Sequence, residues 1–376
     1  MFNIFILQFV KRFLAVITFS LLSLSLSATE LKMDLLVNDP SDNLFSVFGH
    51  AALRIYKEKS SYDYVYSFGY IPLNFEGYKK FVLKGDVESF LKLIPYRQYI
   101  TGRAKKKQNV YHYTLRVGDE TIEKIEKDLR VILNHDNGRM TQDFLKSNCV
   151  LILQEIFEAH NLGSSSGILE KKTGTTYRQI INSYTHPYPW LNFFIDLLCG
   201  PNADKELTVQ ESFFIPKNYA NYLVNSTEMV SDIEVTEFEP LAKSKSSVSP
   251  LVAFCIILLS YLLIKAYVYK NSIEIGKIDK VILMGASILS IYLLLWLWVD
   301  QLGSQNNLNI LWANPIVFIP LLYKKFFKPV QWTYAICVLI WCGSWLVGYQ
   351  NYPIAVIPLI LLISIALFTQ KEQLSN

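Results

Sequence analysis

The chain has 376 residues, enough for two domains, and 51% of them are apolar, a content that favours a membrane protein. Its net charge of +4 does not indicate a nucleic-acid partner, because residues 28–248 contain 26 basic and 28 acidic side chains. The positive excess therefore belongs to the N-terminal segment and to the apolar region after Ser249. This shift in composition predicts a domain boundary, with the Lys- and Ser-containing stretch 238–250 as a linker.

The first residues have the pattern of a secretory signal. Lys11 and Arg12 precede an apolar run over residues 13–26, which gives way to small residues near position 27. A basic pair directly before such a run is typical of an export signal. We therefore predict a signal peptide over residues 1–27, which directs the following segment out of the cytoplasm whether or not it is cleaved.

The segment that follows shows two periodicities. Apolar and polar residues alternate, as in half-buried strands, over 51–58, 62–70 and 109–117. Apolar residues recur at helical spacing from Ile122 to Leu133 and again over 149–159. Strands and helices that interleave without a regular βαβ rhythm predict an α+β domain over residues 28–248.

Five apolar runs in the C-terminal region are each near the length that a membrane-spanning helix needs. They are 250–269, 281–299, 308–323, 330–348 and 353–369. The third run is short and contains Pro315 and Pro320, which predicts a tilted or broken helix. Asn306, Asn307 and Asn309 at its start predict a polar site at the membrane interface.

Lysine positions predict the orientation of these spans. The lysines that follow the first, third and fifth spans are Lys265, Lys270, Lys277, Lys280, Lys324, Lys325, Lys328 and Lys371. The opposite loops, 300–307 and 349–352, contain no lysine or arginine. Because positively charged loops stay in the cytoplasm, the pattern predicts a bacterial cytoplasmic-membrane protein. Its first domain lies outside the cytoplasm, and a five-helix membrane domain over 249–376 ends inside.

The exported domain contains two cysteines, Cys149 and Cys199, and outside the cytoplasm such a pair often forms a disulfide. The context of Cys149 favours another role. Ser147 and Asn148 are good N-cap residues, so the thiol of Cys149 is predicted in the first turn of a helix. The helix dipole and unpaired backbone N–H groups there lower a thiol pKa and supply donors to an oxyanion. A disulfide and a nucleophilic Cys149 both remain open.

A nucleophilic thiol needs a base, which is usually histidine. The histidines are His50, His112, His135, His160 and His186. His50 is the best placed, because Gly49 permits a tight turn before it and the strand from Ala51 holds its ring rigidly. His135 and His160 lie near predicted helix ends, where histidine commonly interacts with terminal carbonyl groups. The sequence has no His, Cys and carboxylate cluster at ligand spacing, so neither a metal nor another cofactor is predicted.

Several short motifs share their order with one family. They are Phe48-Gly49-His50-Ala51-Ala52-Leu53-Arg54, Tyr66-Ser67-Phe68-Gly69, Asn74-Phe75 with Phe81 and Gly85, the segment from Arg103 to Gln108, Asn148-Cys149, and Asn309-Ile310-Leu311-Trp312-Ala313-Asn314-Pro315. In these motifs and in its topology the chain resembles the Lnb family of lipoprotein N-acyltransferases over nearly its whole mature length. A histidine before a strand, followed about a hundred residues later by a cysteine that opens a helix, is also similar to permuted papain-like folds.

The resemblance implies acyl transfer at the membrane surface, with membrane lipids and diacylated lipoproteins as partners. Cys149, deprotonated by His50, would attack a glycerolipid ester, and the acyl thioester would then pass its chain to the N-terminal amine of a lipoprotein. If donor and acceptor are the same molecule, the product is a lyso-form lipoprotein. Asn148 is expected to orient His50 or to cap the helix, and Tyr66 to fix the imidazole. Arg103 is expected to contact anionic headgroups or to belong to a solvated basic turn.

Two other functions fit the same residues. A papain-like peptidase or amidase that acts on cell-wall peptides would use the same pair of Cys149 and His50, but such an enzyme does not need five spans. A non-enzymatic envelope module with a disulfide between Cys149 and Cys199 would need no reactive thiol.

Overall fold

A computed structural model describes residues 30–41, 46–71, 76–77, 79–80, 87–142, 148–163, 167–239, 248–270, 276–299 and 303–369. The predicted signal peptide, residues 1–27, lies outside the described residues. So do Ser147, the Asn74-Phe75 motif and most of the predicted linker.

The N-terminal part mixes strands and helices, which confirms the predicted α+β class. Its elements are β1 (Leu31–Asn38), β2 (His50–Lys57), β3 (Asp63–Tyr70), β4 (Val87–Pro95), α1 (Tyr96–Lys105), β5 (Val110–Leu115), α2 (Asp119–Asn134), β6 (Arg139–Gln142), α3 (Cys149–Ala159), β7 (Lys172–Thr176), α4 (Tyr177–Thr185), α5 (Pro189–Leu198), β8 (Glu206–Thr208), α6 (Pro216–Ser226) and β9 (Val230–Thr236). The three predicted strands correspond to β2, β3 and β5, and the two predicted helices to α2 and α3. Short 3₁₀ turns lie at Pro201–Asp204 and Glu211–Phe214.

Seven strands form one antiparallel sheet in the order β6-β4-β3-β2-β1-β5-β9. One face is buried in a core that includes Leu53 of β2, Ile125 of α2 and Phe157 of α3. On the opposite face, Ala52 belongs to a smaller buried cluster with Tyr99 of α1. Because side chains alternate along a strand, neighbouring residues of β2 and β3 face different helices. This alternation decides which side chains can reach the end of the sheet where β2 begins.

The C-terminal part is helical. Its elements are α7 (Pro250–Lys270), α8 (Gly276–Trp296), α9 (Asn309–Trp312), α10 (Ile319–Leu322), α11 (Phe327–Leu346) and α12 (Val356–Phe368). Among the described residues, α7 and α8 are the two helices long and apolar enough to cross a membrane by length and composition. The third predicted span is broken, since a 3₁₀ turn at Pro315–Phe318 separates α9 from α10. Pro315 and Pro320 each stand in the first turn of their segment, where a missing N–H is tolerated.

Candidate functional site

Helix α3 begins at Cys149, and Asn148 is its N-cap. The Asn148 side chain accepts hydrogen bonds from the backbone N–H groups of Val150 at 2.9 Å and Leu151 at 3.2 Å. Its amide nitrogen donates to the carbonyl oxygen of Phe214 at 3.1 Å. Of the two roles expected for Asn148, the structure therefore shows that of the helix cap. The cap gives two backbone N–H groups of the first turn a hydrogen-bond partner and fixes the start of α3.

The Cys149 thiol is buried at this helix start. Burial raises its pKa to about 11, because a thiolate loses hydration there. The backbone N–H groups of Ala51, Val150 and Cys149 itself and the charge of Arg103 act in the opposite direction and stabilise a thiolate. The predicted lowering of the thiol pKa is therefore wrong for the resting protein, because desolvation outweighs the effect of the helix start. The same N–H groups remain directed at the sulfur.

His50 is the first residue of β2, and it lies opposite Asn38 of β1. Gly49 before it has a φ of +85°, and a Cβ there would lie 2.6 Å from the Asn38 carbonyl oxygen, so only glycine fits. Burial lowers the pKa of His50 to about 3, and the positive charges of Arg103 and Lys106 act in the same direction. The imidazole is therefore neutral at physiological pH, and one of its ring nitrogens is unprotonated.

The geometry brings the thiol to the beginning of β2. Ala51, whose N–H acts on the Cys149 sulfur, directly follows His50, and the Arg103 charge acts on both Cys149 and His50. A neutral thiol and a neutral imidazole thus lie near the same end of the sheet, and the charge of Arg103 acts on both.

The hydroxyl bonded to His50 belongs to Ser67 and not to Tyr66. Ser67 Oγ lies 3.0 Å from His50 Nε2. Tyr66 is on the opposite face of β3, and its hydroxyl donates to Glu126 of α2 at 2.9 Å. The physical reason is the alternation of strand β3, which turns neighbouring side chains to opposite faces. The residue predicted to fix the imidazole, Tyr66, is therefore in the correct strand, β3, but the side chain that contacts His50 is that of the next residue, Ser67.

Helix α1 brings Arg103 and Tyr99 to the same end of the sheet. The Tyr99 hydroxyl accepts a 2.7 Å hydrogen bond from Asn38, and the Arg103 guanidinium lies 4.7 Å from the centre of the Tyr99 ring. Arg103 also donates to Gln108 at 3.2 Å. These contacts hold Arg103 against the site, whereas Lys105 to Lys107 form an exposed turn. Tyr99 is not among the residues predicted for the site, because no sequence motif indicates that its hydroxyl meets Asn38, the residue opposite His50.

The side chains of Asn38 and Tyr99 can form further hydrogen bonds at the site. Asn38 is buried, and among the described residues its Oδ1 has no hydrogen-bond partner. The charge of a Cys149 thiolate raises the pKa of Tyr99, after the larger effect of burial. A buried polar atom without a partner is costly in a stable core, and its presence on the residue opposite His50 is typical of a functional site.

Other histidines and the second cysteine have separate environments. His112 is hydrogen-bonded to Thr236 at 3.0 Å, and His160, at the far end of α3 from Cys149, to Asp128 at 2.9 Å. Cys149 and Cys199 are both free thiols, so the structure does not contain the alternative disulfide. In the part of the chain that is described, no group of three His, Cys, Asp or Glu side chains could hold a metal.

Amide side chains of the membrane domain bind the end of helix α5. Asn307 and Asn309 both donate to the carbonyl oxygen of Leu197, at 2.8 and 3.0 Å, and Gln350 donates to that of Cys199 at 3.1 Å. Carbonyl groups at a helix C-terminus have no partner within the helix, so these amides cap α5. The asparagines predicted to form a polar site at the membrane interface thus join the two domains.

Arg178 of α4 forms a buried ion-pair cluster beside this junction. It donates to Asp204 at 2.8 Å and to Asp196 at 3.1 Å, and it also reaches the Cys199 carbonyl oxygen at 3.2 Å. Asp204 in turn accepts a 2.9 Å hydrogen bond from Asn351 of the membrane domain. The three charged side chains are at most 10% exposed. The domain that carries Cys149 is therefore joined to the helical domain by fully paired polar groups.

Two family models match the chain. A model of the Lnb N-terminal periplasmic domain matches residues 21–185, and a model of the Lnb transmembrane domain matches residues 242–371. No curated protein and no solved structure matches the chain. The two matched regions together cover most of the sequence. The first lies in the part that mixes strands and helices, and the second covers the helical C-terminal part. The protein is therefore a membrane protein with an extracytoplasmic domain, and it belongs to the Lnb family.

Proposed function

We propose that this protein is a lipoprotein N-acyltransferase in which Cys149 carries the acyl chain as a thioester. Family membership indicates a lipoprotein-modifying membrane protein. The observation that supports a cysteine mechanism is the buried thiol of Cys149 at a helix start, where backbone N–H groups, including that of Ala51 next to the neutral His50, stabilise a thiolate. Such groups are the nucleophile, the base and the oxyanion donors of acyl transfer.

In the first step, His50 takes the thiol proton and the Cys149 sulfur attacks an ester carbonyl of a glycerolipid. The negative charge on the carbonyl oxygen is stabilised by backbone N–H groups at the start of α3. The tetrahedral intermediate then expels the glycerol oxygen, which takes the proton from His50. The products are an acyl thioester on Cys149 and a lysolipid alcohol.

In the second step, the α-amine of the lipoprotein attacks the thioester. An amide bond forms, the carbon–sulfur bond breaks, and His50 returns the proton of the amine to the Cys149 sulfur. A thiolate is a good leaving group against an amine, so the thioester is a suitable intermediate. Transfer within one lipoprotein molecule gives a lyso-form product of unchanged mass, and a separate phospholipid donor adds the mass of a chain.

Four further residues have supporting roles in this proposal. Ser67 lies 3.0 Å from His50 Nε2, and the proposal assigns the proton to this nitrogen, so that Ser67 accepts it and Nδ1 is left to take the thiol proton. Asn148 caps α3 and keeps its first turn in place. Arg103 stabilises the developing thiolate through its positive charge. Tyr99, a buried hydroxyl that already accepts from Asn38, retains its proton to donate toward the substrate.

The proposal also includes the fold family of the extracytoplasmic domain, the domain boundaries and the orientation of the chain in the membrane. A histidine at the start of a strand and a later cysteine at a helix start are the order of a permuted papain-like domain, which we assign to residues 28–248. A signal peptide precedes it at 1–27, and the membrane domain is 249–376. The lysine distribution supports a cytoplasmic C-terminus.

The test uses the full-length protein, its Cys149→Ala variant and a diacylated lipopeptide. Mass spectrometry follows the lipopeptide N-terminus and the protein itself. We expect only the intact protein to acylate the α-amine, and a hydroxylamine-sensitive acyl mass to appear on the peptide that contains Cys149. Acylation by Cys149→Ala at the wild-type rate would contradict the proposal. Cleavage of cell-wall peptides without lipopeptide acylation would favour the peptidase alternative.

A further inference from the structure

A row of half-buried apolar side chains leads away from the thiol. We call it the apolar ramp, and its members are Phe48, Tyr177, Ile180, Tyr184 and Leu191. All five pack on a buried cluster that includes Ile181, Ile195 and Phe214, yet each keeps part of its surface exposed. Three of them belong to α4, where spacings of three and four residues place side chains on one helix face.

The first end of the apolar ramp adjoins the candidate catalytic site. Phe48 is two residues before His50, and its ring lies 5.8 Å from that of Tyr184 and 6.0 Å from that of Phe214. The backbone oxygen of Phe214 accepts from Asn148, the residue before Cys149. The ramp and the helix start that holds the thiol are therefore connected by direct contacts.

The other end reaches the membrane domain through α5, which contains Leu191. Phe193 of α5 is buried in the core of the membrane domain and lies 5.3 Å from Phe254 of α7. Trp190 donates to the carbonyl oxygen of Val248 at 2.9 Å, just before α7 begins. Phe254 is about one helical turn into α7, so α5 lies at the depth where tryptophan residues mark the membrane surface. Phe194 of α5 is 51% exposed, so α5 also presents an apolar side chain at this depth.

We propose that the apolar ramp binds an acyl chain of the lipid substrate as it passes from the outer leaflet to Cys149. This inference rests on the proposed acyl transfer and adds the subsite that holds the chain. An acyl chain is the fitting occupant, because the ramp consists of aliphatic and aromatic side chains and continues through α5 to α7, an apolar helix whose surface is almost entirely exposed. Each methylene that leaves water on such a surface strengthens binding roughly fourfold.

The first experiment compares dipalmitoyl and dibutyryl lipopeptides as substrates of the full-length protein. We expect Ile180→Gln and Tyr184→Gln to lower kcat/KM for the dipalmitoyl substrate about tenfold or more, and to leave the dibutyryl substrate within about twofold. Ser183→Gln, on an exposed position of the same helix, is the matched control and leaves both unchanged. Equal losses on both substrates would overturn the inference and indicate a structural role for these side chains.

The second experiment separates the inference from the proposed function. Full-length Cys149→Ala is reconstituted in phosphatidylglycerol vesicles with a lipopeptide whose acyl chain carries a diazirine, and the photolabelled peptides are mapped. We expect label between Tyr177 and Leu191, and less of it when Ile180→Gln is added. Label confined to α7–α12 would overturn the inference. Label on α4 without acyl transfer by the wild-type protein would retain the binding surface and reject the transferase function.

Discussion

Buried polar side chains dominate two regions of this protein, and they have opposite consequences. At the junction of the domains, Arg178 is paired with Asp204 and Asp196, so that burial is compensated by charge and hydrogen bonds. At the end of the sheet, burial raises the pKa of Cys149 and lowers that of His50, so that both stay neutral. Desolvation is common to both regions. Paired charges make a rigid junction, whereas uncharged partners that can exchange a proton make a reactive site.

The largest expected effect is the loss of lipopeptide acylation on substitution of Cys149, one of the two buried cysteines of the extracytoplasmic part. Cys149→Ala should lower lipopeptide acylation by on the order of 10³-fold or more, because it removes the nucleophile. Cys199→Ala is the matched control, since Cys199 is also buried but lies at the end of α5. Mass spectrometry of the lipopeptide gives both rates. A comparable loss in both variants would mean that the change at Cys149 acts through folding.

The second prediction concerns the junction. Arg178→Met leaves two buried carboxylates without their partner and should lower the free energy of unfolding by about 3 to 5 kcal/mol. Lys124→Met is the control, because Lys124 and its partner Glu120 are both exposed on α2, where such a pair contributes at most about 1 kcal/mol. Denaturant unfolding of the purified full-length variants measures the difference. Similar losses in the two variants would contradict a tight junction.

A smaller effect is expected at the hydroxyl beside His50. Ser67→Ala should lower the acylation kcat about tenfold with little change in KM, because one hydrogen bond that orients the imidazole is lost. Ser67→Thr should restore most of the rate, since it keeps the hydroxyl. Single-turnover acylation kinetics measures both variants. An unchanged kcat in Ser67→Ala would exclude an orienting role.

The smallest expected effect is that of pH on the first step. His50 accepts a proton only when it is neutral, which holds above its pKa of about 3, and Cys149 keeps its proton below about 11. The rate of thioester formation should therefore be nearly constant from roughly pH 5 to pH 9, losing activity only as the pH falls toward the pKa of His50. Single-turnover acylation across this range measures it. A bell-shaped profile with a limb near pH 8.5 would instead indicate a resting thiolate–imidazolium pair.

Some of the fold could be predicted from local pattern. The strands β2, β3 and β5 contain alternating residues, so their half-buried faces are visible in the sequence. β1 lies outside the three predicted strands, because its residues alternate only from Leu31 to Leu35 and then run apolar to Val37, in an inner strand that is buried along nearly its whole length. The broken third span was indicated by Pro315 and Pro320, whose effect on a helix is local.

By itself, the sequence determined the residue types of the site and their local setting: the cap before Cys149, the glycine before His50 and the apolar helices that follow. Only the tertiary structure decided that Ser67 and not Tyr66 meets His50, because strand register sets the facing residue. It also decided that Asn307 binds α5 about 110 residues away. The thiol pKa also depends on tertiary structure. The helix start, which is visible in the sequence, lowers this pKa, but the burial that raises it comes from distant parts of the chain.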